Sequence, residues 1–501
     1  MSVQQNFDVI VVGGGSAGAV LATRLSERPE QSVLLLEAGP AYPPQDYPLQ
    51  VALAANVGAF TGHDWGYRSE PGFVTHPIEA WRGKVLGGCS AVNGSVVARA
   101  RPADFERWTA AGVKGWSFDE VLPAFRALES TTAGDDAWHG RTGPFPVRQL
   151  ALDEVSDMQR AFVESALAVG LPAVEDFNGP DAHGVGPYAM NVIDGVRVNT
   201  GMAYLTDAVR ARSNLTIRDR TLVDRVLFDD ARAVGVRLAD GTVLAAGEVI
   251  LSAGAYGSPA ILLRSGVGPG HALYRLNIPV IADLPVGETL YDHPFYYNAY
   301  AAGPTRIGAP YPVIGAKVWT ASPGAAPGEL DLHITATHLV DQQSSPTGSA
   351  FVLAVALTRP ESCGSLTLTS RDPAVAPRID LNFLAEPADR HRLRYGIDLA
   401  RQIAAQAPLA DLIDHEIAPG PHATDAEIEA SMAATLDTYH HPTSTVPMGA
   451  PGDPLAVVDH LGNVRDLDGL RVVDASIFPD VPSAATNATV IMAAEHIAAQ
   501  L

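Results

Sequence analysis

Two groups of residues in this chain have types and spacing that could do chemistry. The first is Gly13-Gly14-Gly15-Ser16-Ala17-Gly18, a G-x-G-x-x-G run. Gly13 permits a tight turn, Gly15 lets backbone approach a pyrophosphate, and Gly18 lets a helix sit close on a strand. A helix starting at Ser16 and Ala17 would turn its first N–H groups toward phosphate oxygens. Glu37 lies 19 residues after Gly18, where a carboxylate can accept the hydroxyls of a ribose. Its charge would repel a 2′-phosphate, so the pattern suits FAD or NAD rather than NADP. The second group is the adjacent pair His440 and His441. An imidazole, with an ordinary pKa of ~6.5, can accept a proton near neutral pH. The pair has no third ligand nearby in sequence, so no metal is expected.

These groups need elements to position them. Phe7 to Val12 reads as a short buried strand, β-branched and ended by glycines. Ser16 to Arg28 reads as a helix with Ala17, Val20, Leu21 and Leu25 facing inward, and Val33 to Leu36 as a second strand. A strand–helix–strand start implies a parallel sheet with a right-handed crossover. Helices are expected near 119–129 and over 154–169, and the stretch 131–146 as a surface excursion. Residues 215–251 read as an antiparallel meander, broken at Asp229-Asp230 and Asp240-Gly241. Alternating runs at 330–340, 350–358 and 364–370 predict a second sheet. The C-terminal third returns to helix, strand, loop and helix.

Composition sets the limits. The chain has 501 residues, 47% hydrophobic and 18% charged, which excludes a disordered or collagen-like protein. Lys plus Arg total 34 against 56 for Asp plus Glu, a net charge of −22. Such a surface repels phosphate backbones and anionic lipids, so no nucleic-acid partner is expected. The longest apolar run, Ala350 to Leu357, has eight residues, against ~20 for a membrane span. Only Cys89 and Cys363 occur, far apart, and the start lacks the basic region of a signal peptide. A cytoplasmic location is expected.

Longer motifs carry a family resemblance. Residues 254–268, GAYGSPAILLRSGVG, match a signature of the glucose–methanol–choline (GMC) oxidoreductases. Residues 83–93, GKVLGGCSAVN, resemble the family's other signature, with Cys89 replacing a small residue. The likeness continues through VGETLYDH (286–293), VVDASIFP (472–479) and the terminal helix. It implies an α/β, overall α+β, fold: a Rossmann-type FAD-binding domain with a second, antiparallel-sheet substrate-binding domain. The expected division is 1–139, 196–292 and 436–501 for FAD, and 140–195 and 293–435 for substrate.

The resemblance also implies roles. FAD would be held by Gly13, Gly15, Ser16, Ala17, Gly18, Glu37, Ala38, Leu86 and Gly87. Val223 would lie at the adenine, Asp474 and Ala475 at the phosphate and ribityl region, and Asn487 nearby. Asn93 would hydrogen-bond near the flavin's reactive edge, or be a turn residue bonding its own backbone. Some relatives tether FAD through a histidine where this chain has Val92, so non-covalent FAD is expected. Tyr439 to Gly449 resembles the family's HPxxTxxMG run, which makes His441 the catalytic histidine. His440 would point the other way on an extended segment, as a residue packed beside the flavin or an auxiliary donor. His139 and His293 are expected to be structural. The position 44 residues beyond His441, where relatives carry a second His or Asn, is Ala485.

The implied activity is FAD-dependent oxidation of a primary alcohol to an aldehyde. His441 would take the hydroxyl proton as hydride passes to flavin N5, and O2 or a quinone-like acceptor would reoxidise the flavin. The missing polar group at Ala485 suggests room for an aromatic or small cyclic alcohol. It also leaves a second reading open, a GMC-fold lyase or decarboxylase.

Overall fold

The computed structural model describes residues 6–58, 62–303 and 307–501. One sheet orders the strands Leu215–Arg218, Val33–Leu36, Asn6–Val12, Val243–Leu251, Arg232–Leu238 and Val223–Asp229, with Leu470–Val472 also paired to Val243–Leu251. Its centre is parallel and almost wholly buried, as all-apolar runs such as Val33–Leu36 require. The antiparallel meander begins only at Val223. Leu215–Arg218 instead pairs in parallel with Val33–Leu36, a correction to the expected 215–251 meander.

The second sheet runs Ile413–Ala418, Pro294–Ala302, Ala350–Leu357, Leu332–Thr337, Ile314–Thr320 and Gly184–Pro187. Asp437–Thr438 adds to Pro294–Ala302. Residues 364–370 do not join this sheet: Ser365–Thr367 pairs with Arg378–Asp380 in a separate ribbon. The helix expected over 154–169 spans Asp157–Ala168. It starts where the Ser156 hydroxyl accepts from the Gln159 N–H and the Gln159 side chain answers the Ser156 N–H. The first helix, Ser16–Leu25, ends three residues earlier than expected.

The terminal helix, Thr486–Ala498, packs against the first helix. Arg24 clamps Glu495 with two bonds of 2.8 Å, and the buried Tyr204 hydroxyl donates to the same carboxylate at 2.8 Å. A bidentate pair of this kind fixes geometry as well as charge. It ties the C-terminal ends of the two helices together, while a Ser16–Asn487 bond joins their N-terminal ends at the glycine-rich turn. Among the described residues, no helix is long and apolar enough to cross a membrane.

Candidate active site

A cavity of about 510 Å³ runs from the glycine-rich turn to His441 and Ala485. At the turn, Gly13 has φ +98°, and a Cβ on Gly18 would meet the Gly13 carbonyl oxygen at 1.8 Å. Only glycine allows that contact between helix and strand. The helix begins at Gly15 without a side-chain cap, so its first N–H groups remain for an anion. Glu37 accepts from the Gly14 N–H at 2.9 Å and the Gly39 N–H at 2.7 Å. Burial pushes its carboxyl up from the ordinary range, while those N–H groups and Lys84 oppose the rise. The Ser16 hydroxyl donates to Asn487 Oδ1 at 2.7 Å. It reaches no imidazole, so the G-x-S-x-G that residues 14–18 also spell supplies no activated nucleophile.

Gly13, Gly15, Ser16, Ala17, Glu37, Ala38, Asn93, Val223, Asp474, Ala475 and Asn487 all line this cavity, as do His440 and His441. Gly18, Leu86 and Gly87 do not; they stand behind the wall, and Gly88 and Cys89 present themselves instead. Asn93 Oδ1 accepts from the Ser95 N–H at 3.0 Å, so the side chain does brace its own turn while lining the cavity. The Asp474 carboxylate receives Gly254 N–H, Ser258 Oγ, Ser476 N–H and Ser476 Oγ, all within 2.8 Å. It is saturated by protein donors and shapes its turn.

A flavin dinucleotide fits these groups. The turn offers N–H groups that would suit a pyrophosphate, the Glu37 carboxylate lines the wall where a ribose would lie, and buried Asn487 Nδ2 and His440 Nδ1 have no protein partner at residues that line the cavity. Such atoms are costly to bury unless something polar meets them.

The reactive end is organised by Asp292. This buried carboxylate accepts from the His441 N–H at 2.8 Å, the Thr438 hydroxyl at 2.7 Å and the His293 N–H at 2.7 Å. Burial raises its pKa to about 6, against the pull of Arg82 and these donors. Tyr439 N–H donates to the His293 carbonyl at 2.9 Å, continuing the strand pairing. His440 then departs from the extended course expected for it, at φ +65°. Its ring stacks on Trp81 with centroids 5.2 Å apart, and its carbonyl accepts from Arg82 at 2.9 Å. Burial lowers its pKa to about 3, with Arg82 assisting.

His293, expected to be structural, touches the catalytic candidate directly. Its Nδ1 lies 3.0 Å from His441 Nδ1, and its Nε2 lies 3.1 Å from the Pro482 carbonyl oxygen. A carbonyl only accepts, so the His293 proton sits on Nε2 and its Nδ1 is an acceptor. Burial, with Arg359, lowers the His293 pKa to about 3, which keeps it neutral. His441 must therefore carry its own proton on Nδ1. That places the lone pair of His441 on Nε2, and His441 lines the cavity. Burial and the neighbouring His293 and Arg82 hold His441 well below its ordinary value.

Beyond His441 the wall turns aromatic. Phe295 and Tyr439 stack at 4.3 Å and 8°, and Tyr297 meets Phe295 edge-on at 5.1 Å. The carboxylates that line the cavity, Glu37 and Asp474, both belong to the dinucleotide end. Ala485 lines the cavity and precedes the terminal helix, adding no polar atom. His139 sits far from this site between Glu129 and Asp176, at 2.8 Å from each. Among the described residues no group of His, Cys, Asp and Glu is placed to hold a metal ion.

Two models of the GMC oxidoreductase family match residues 7–295 and 360–494. The chain belongs to the GMC oxidoreductases. It is 34% identical to an oxygen-dependent choline dehydrogenase of Photobacterium profundum, over 98% of this chain and 92% of that one. A second such enzyme, from Pectobacterium carotovorum, is 37% identical over 98% and 94%. Among solved structures, the pyridoxine 4-oxidase from Mesorbium loti superposes with a TM-score of 0.91 at 34% identity, covering 99% of both chains. As a GMC oxidoreductase the protein is an enzyme that binds FAD, with a Rossmann-type FAD-binding domain and a substrate-binding domain. Val92, which lines the cavity, offers no atom for a covalent link. Acid precipitation of the holoenzyme is therefore expected to release the flavin into the supernatant; a yellow pellet would contradict this.

Proposed function

We propose that this GMC oxidoreductase oxidises a primary alcohol carried on an aromatic or small cyclic ring to the aldehyde, with His441 as the base. The observation that carries the reading is the His293–His441 contact, which leaves a lone pair at Nε2 of His441, a residue that lines the cavity. That atom would accept the hydroxyl proton. Bound FAD supplies the hydride acceptor at N5, and O2 or a quinone-like compound restores it. As the proton arrives, His441 Nδ1–H remains donated to His293, whose own Nε2–H is held by Pro482, so the imidazolium cannot turn. His440 Nδ1, unpartnered, is the polar atom available to the substrate oxygen in place of the group missing at Ala485.

The stacked Phe295 and Tyr439 support a flat ring beside the carbinol carbon. A quaternary ammonium such as that of choline could use these faces, but among the described residues no carboxylate lines this end to balance its charge. The relative named pyridoxine 4-oxidase points toward a ring-bearing alcohol. Anaerobic addition of benzyl alcohol, cyclohexylmethanol, choline and ethanol to the holoenzyme tests the reading. The flavin spectrum should bleach, fastest with benzyl alcohol. Persistent yellow with every alcohol would instead favour a lyase or decarboxylase.

The neutral form of His441 is the active one, and its folded pKa lies below the ordinary value. Activity is thus present above that lowered value and lost as pH falls through it. The rate of flavin reduction is expected to be flat from about pH 7 upward, falling only on the acid side of the ordinary imidazole range. An inflection above pH 7 in stopped-flow reduction would contradict the assignment. We also propose the two-domain division given above, which the membership of the two sheets supports except at Asp437–Thr438, which pairs with Pro294–Ala302 of the second sheet. A cytoplasmic location is proposed from the two free cysteines, Cys89 and Cys363.

A further inference from the structure

The sheet that walls the reactive end turns one face toward the cavity. Thr335 and Thr337 line the cavity from the strand Leu332–Thr337. Directly paired residues on neighbouring antiparallel strands share a face. Lys317 pairs with Thr335, and Trp319 with His333, so Lys317 belongs to the layer that carries Thr335. A lysine in this layer is unusual, since the side chain is fully buried. Its Nζ lies 3.9 Å from the ring centroid of Trp319, 4.4 Å from Phe177 and 5.3 Å from Tyr188, and has no hydrogen-bond partner. Burial holds the amine well below the ordinary lysine range, so it can both donate and accept.

Tyr188, whose ring the amine neighbours, also belongs to a ring of three hydroxyls. Tyr188 and Thr335 are 2.9 Å apart, Thr335 and Tyr439 3.3 Å, and Tyr188 and Tyr439 3.4 Å. Each is donor and acceptor at once, so the ring can turn to suit a polar atom offered from the cavity. Thr335 and Tyr439 present it there, and the Tyr439 ring lies 4.5 Å from that of His441. None of these groups is used in taking the carbinol proton.

We propose that Thr335 and Tyr439, with Tyr188 and Lys317 behind them, form a polar subsite for an oxygen on the substrate's ring, remote from the carbinol carbon. The inference rests on the ring-bearing alcohol of the preceding section. It deepens that reading by assigning the class: a hydroxymethyl arene with a phenolic hydroxyl.

The test uses holoenzyme and two variants, Thr335→Val, which keeps the strand and the shape, and Lys317→Met. Flavin reduction is compared for 3- and 4-hydroxybenzyl alcohol against benzyl alcohol. The wild type should prefer at least one phenol, and both variants should lower that preference by about tenfold. A preference that is absent, or equal in all three proteins, overturns the subsite; a general loss of activity leaves the ratio intact and overturns it too. Binding of 4-methylphenol against toluene, followed by perturbation of the flavin spectrum, needs no oxidation. If no alcohol bleaches the flavin, 4-methylphenol should still bind more tightly than toluene, by a margin that both variants erase. That outcome sinks alcohol oxidation and keeps the subsite, whereas equal binding of the two compounds sinks the subsite.

Discussion

Replacing His441 with alanine is expected to slow anaerobic flavin reduction by roughly 10²–10⁴-fold, with FAD still bound at full stoichiometry. The size follows from the role. His441 Nε2 carries the lone pair that the His293–Pro482 chain leaves free, and the other imidazole that lines the cavity among the described residues, His440, has its ring stacked on Trp81 at a left-handed turn. Alanine removes the acceptor but not the backbone bond from residue 441 to Asp292, so the loop should keep its course. Flavin content, read from the visible absorbance against that at 280 nm, separates lost chemistry from lost cofactor. A fall of less than tenfold would move the proton acceptor to His440 or elsewhere.

The second large effect is expected at His293, which acts through His441. In His293→Leu, the His441 Nδ1–H loses its buried acceptor, and the alternative tautomer, with the proton on Nε2, becomes populated. That form presents a donor where the alcohol needs an acceptor. Loss of the residue that fixes a catalytic histidine's tautomer costs about 10⁴-fold where the partner is a carboxylate. With a neutral partner we expect about 10²-fold. In His293→Gln the amide oxygen can accept from His441 while the NH2 group donates to Pro482, so most of the rate should return. A residue that merely filled space would give the reverse order, since leucine packs well in a buried site. Equal rates in the two variants would contradict the positioning role.

Much of the cofactor end was legible in the sequence because its information is local. The G-x-G-x-x-G run and Glu37 lie within one strand–helix–strand unit, where each glycine answers a contact a few residues away: Gly18 meets Gly13, and Glu37 meets Gly14 and Gly39. The reactive end was only half legible. His441 stands in a recognisable run, but His293 lies 148 residues before it. The two meet because Tyr291 pairs with Thr443 and Pro294 with Thr438 around the buried Asp292, and that pairing leaves no local signature. The available signal was the polar pair Asp292-His293 placed directly before a buried aromatic strand.

Other departures have the same origin. The extended course expected of His440 failed because a non-glycine residue at positive φ carries no mark in its type, and Thr438 and Arg82 hold that turn from outside the segment. Leu215–Arg218 looks like its meander neighbours in composition. Only the free edge of Val33–Leu36, contributed by a distant part of the chain, makes it parallel. The burial of Lys317 likewise depends on what Tyr188, Phe177 and Trp319 bring to its face of the sheet.

The most direct measurement is anaerobic stopped-flow reduction of the holoenzyme by benzyl alcohol and by its α,α-dideuterated form. If the enzyme takes the hydroxyl proton at His441 and passes hydride to the flavin, both alcohols bleach the flavin and the deuterated one does so several-fold more slowly. In His441→Ala the slowing by deuterium should persist on a far lower rate, because hydride transfer remains while its base is gone. A flavin that stays oxidised with either alcohol, or that bleaches at the same rate with both, would contradict the account.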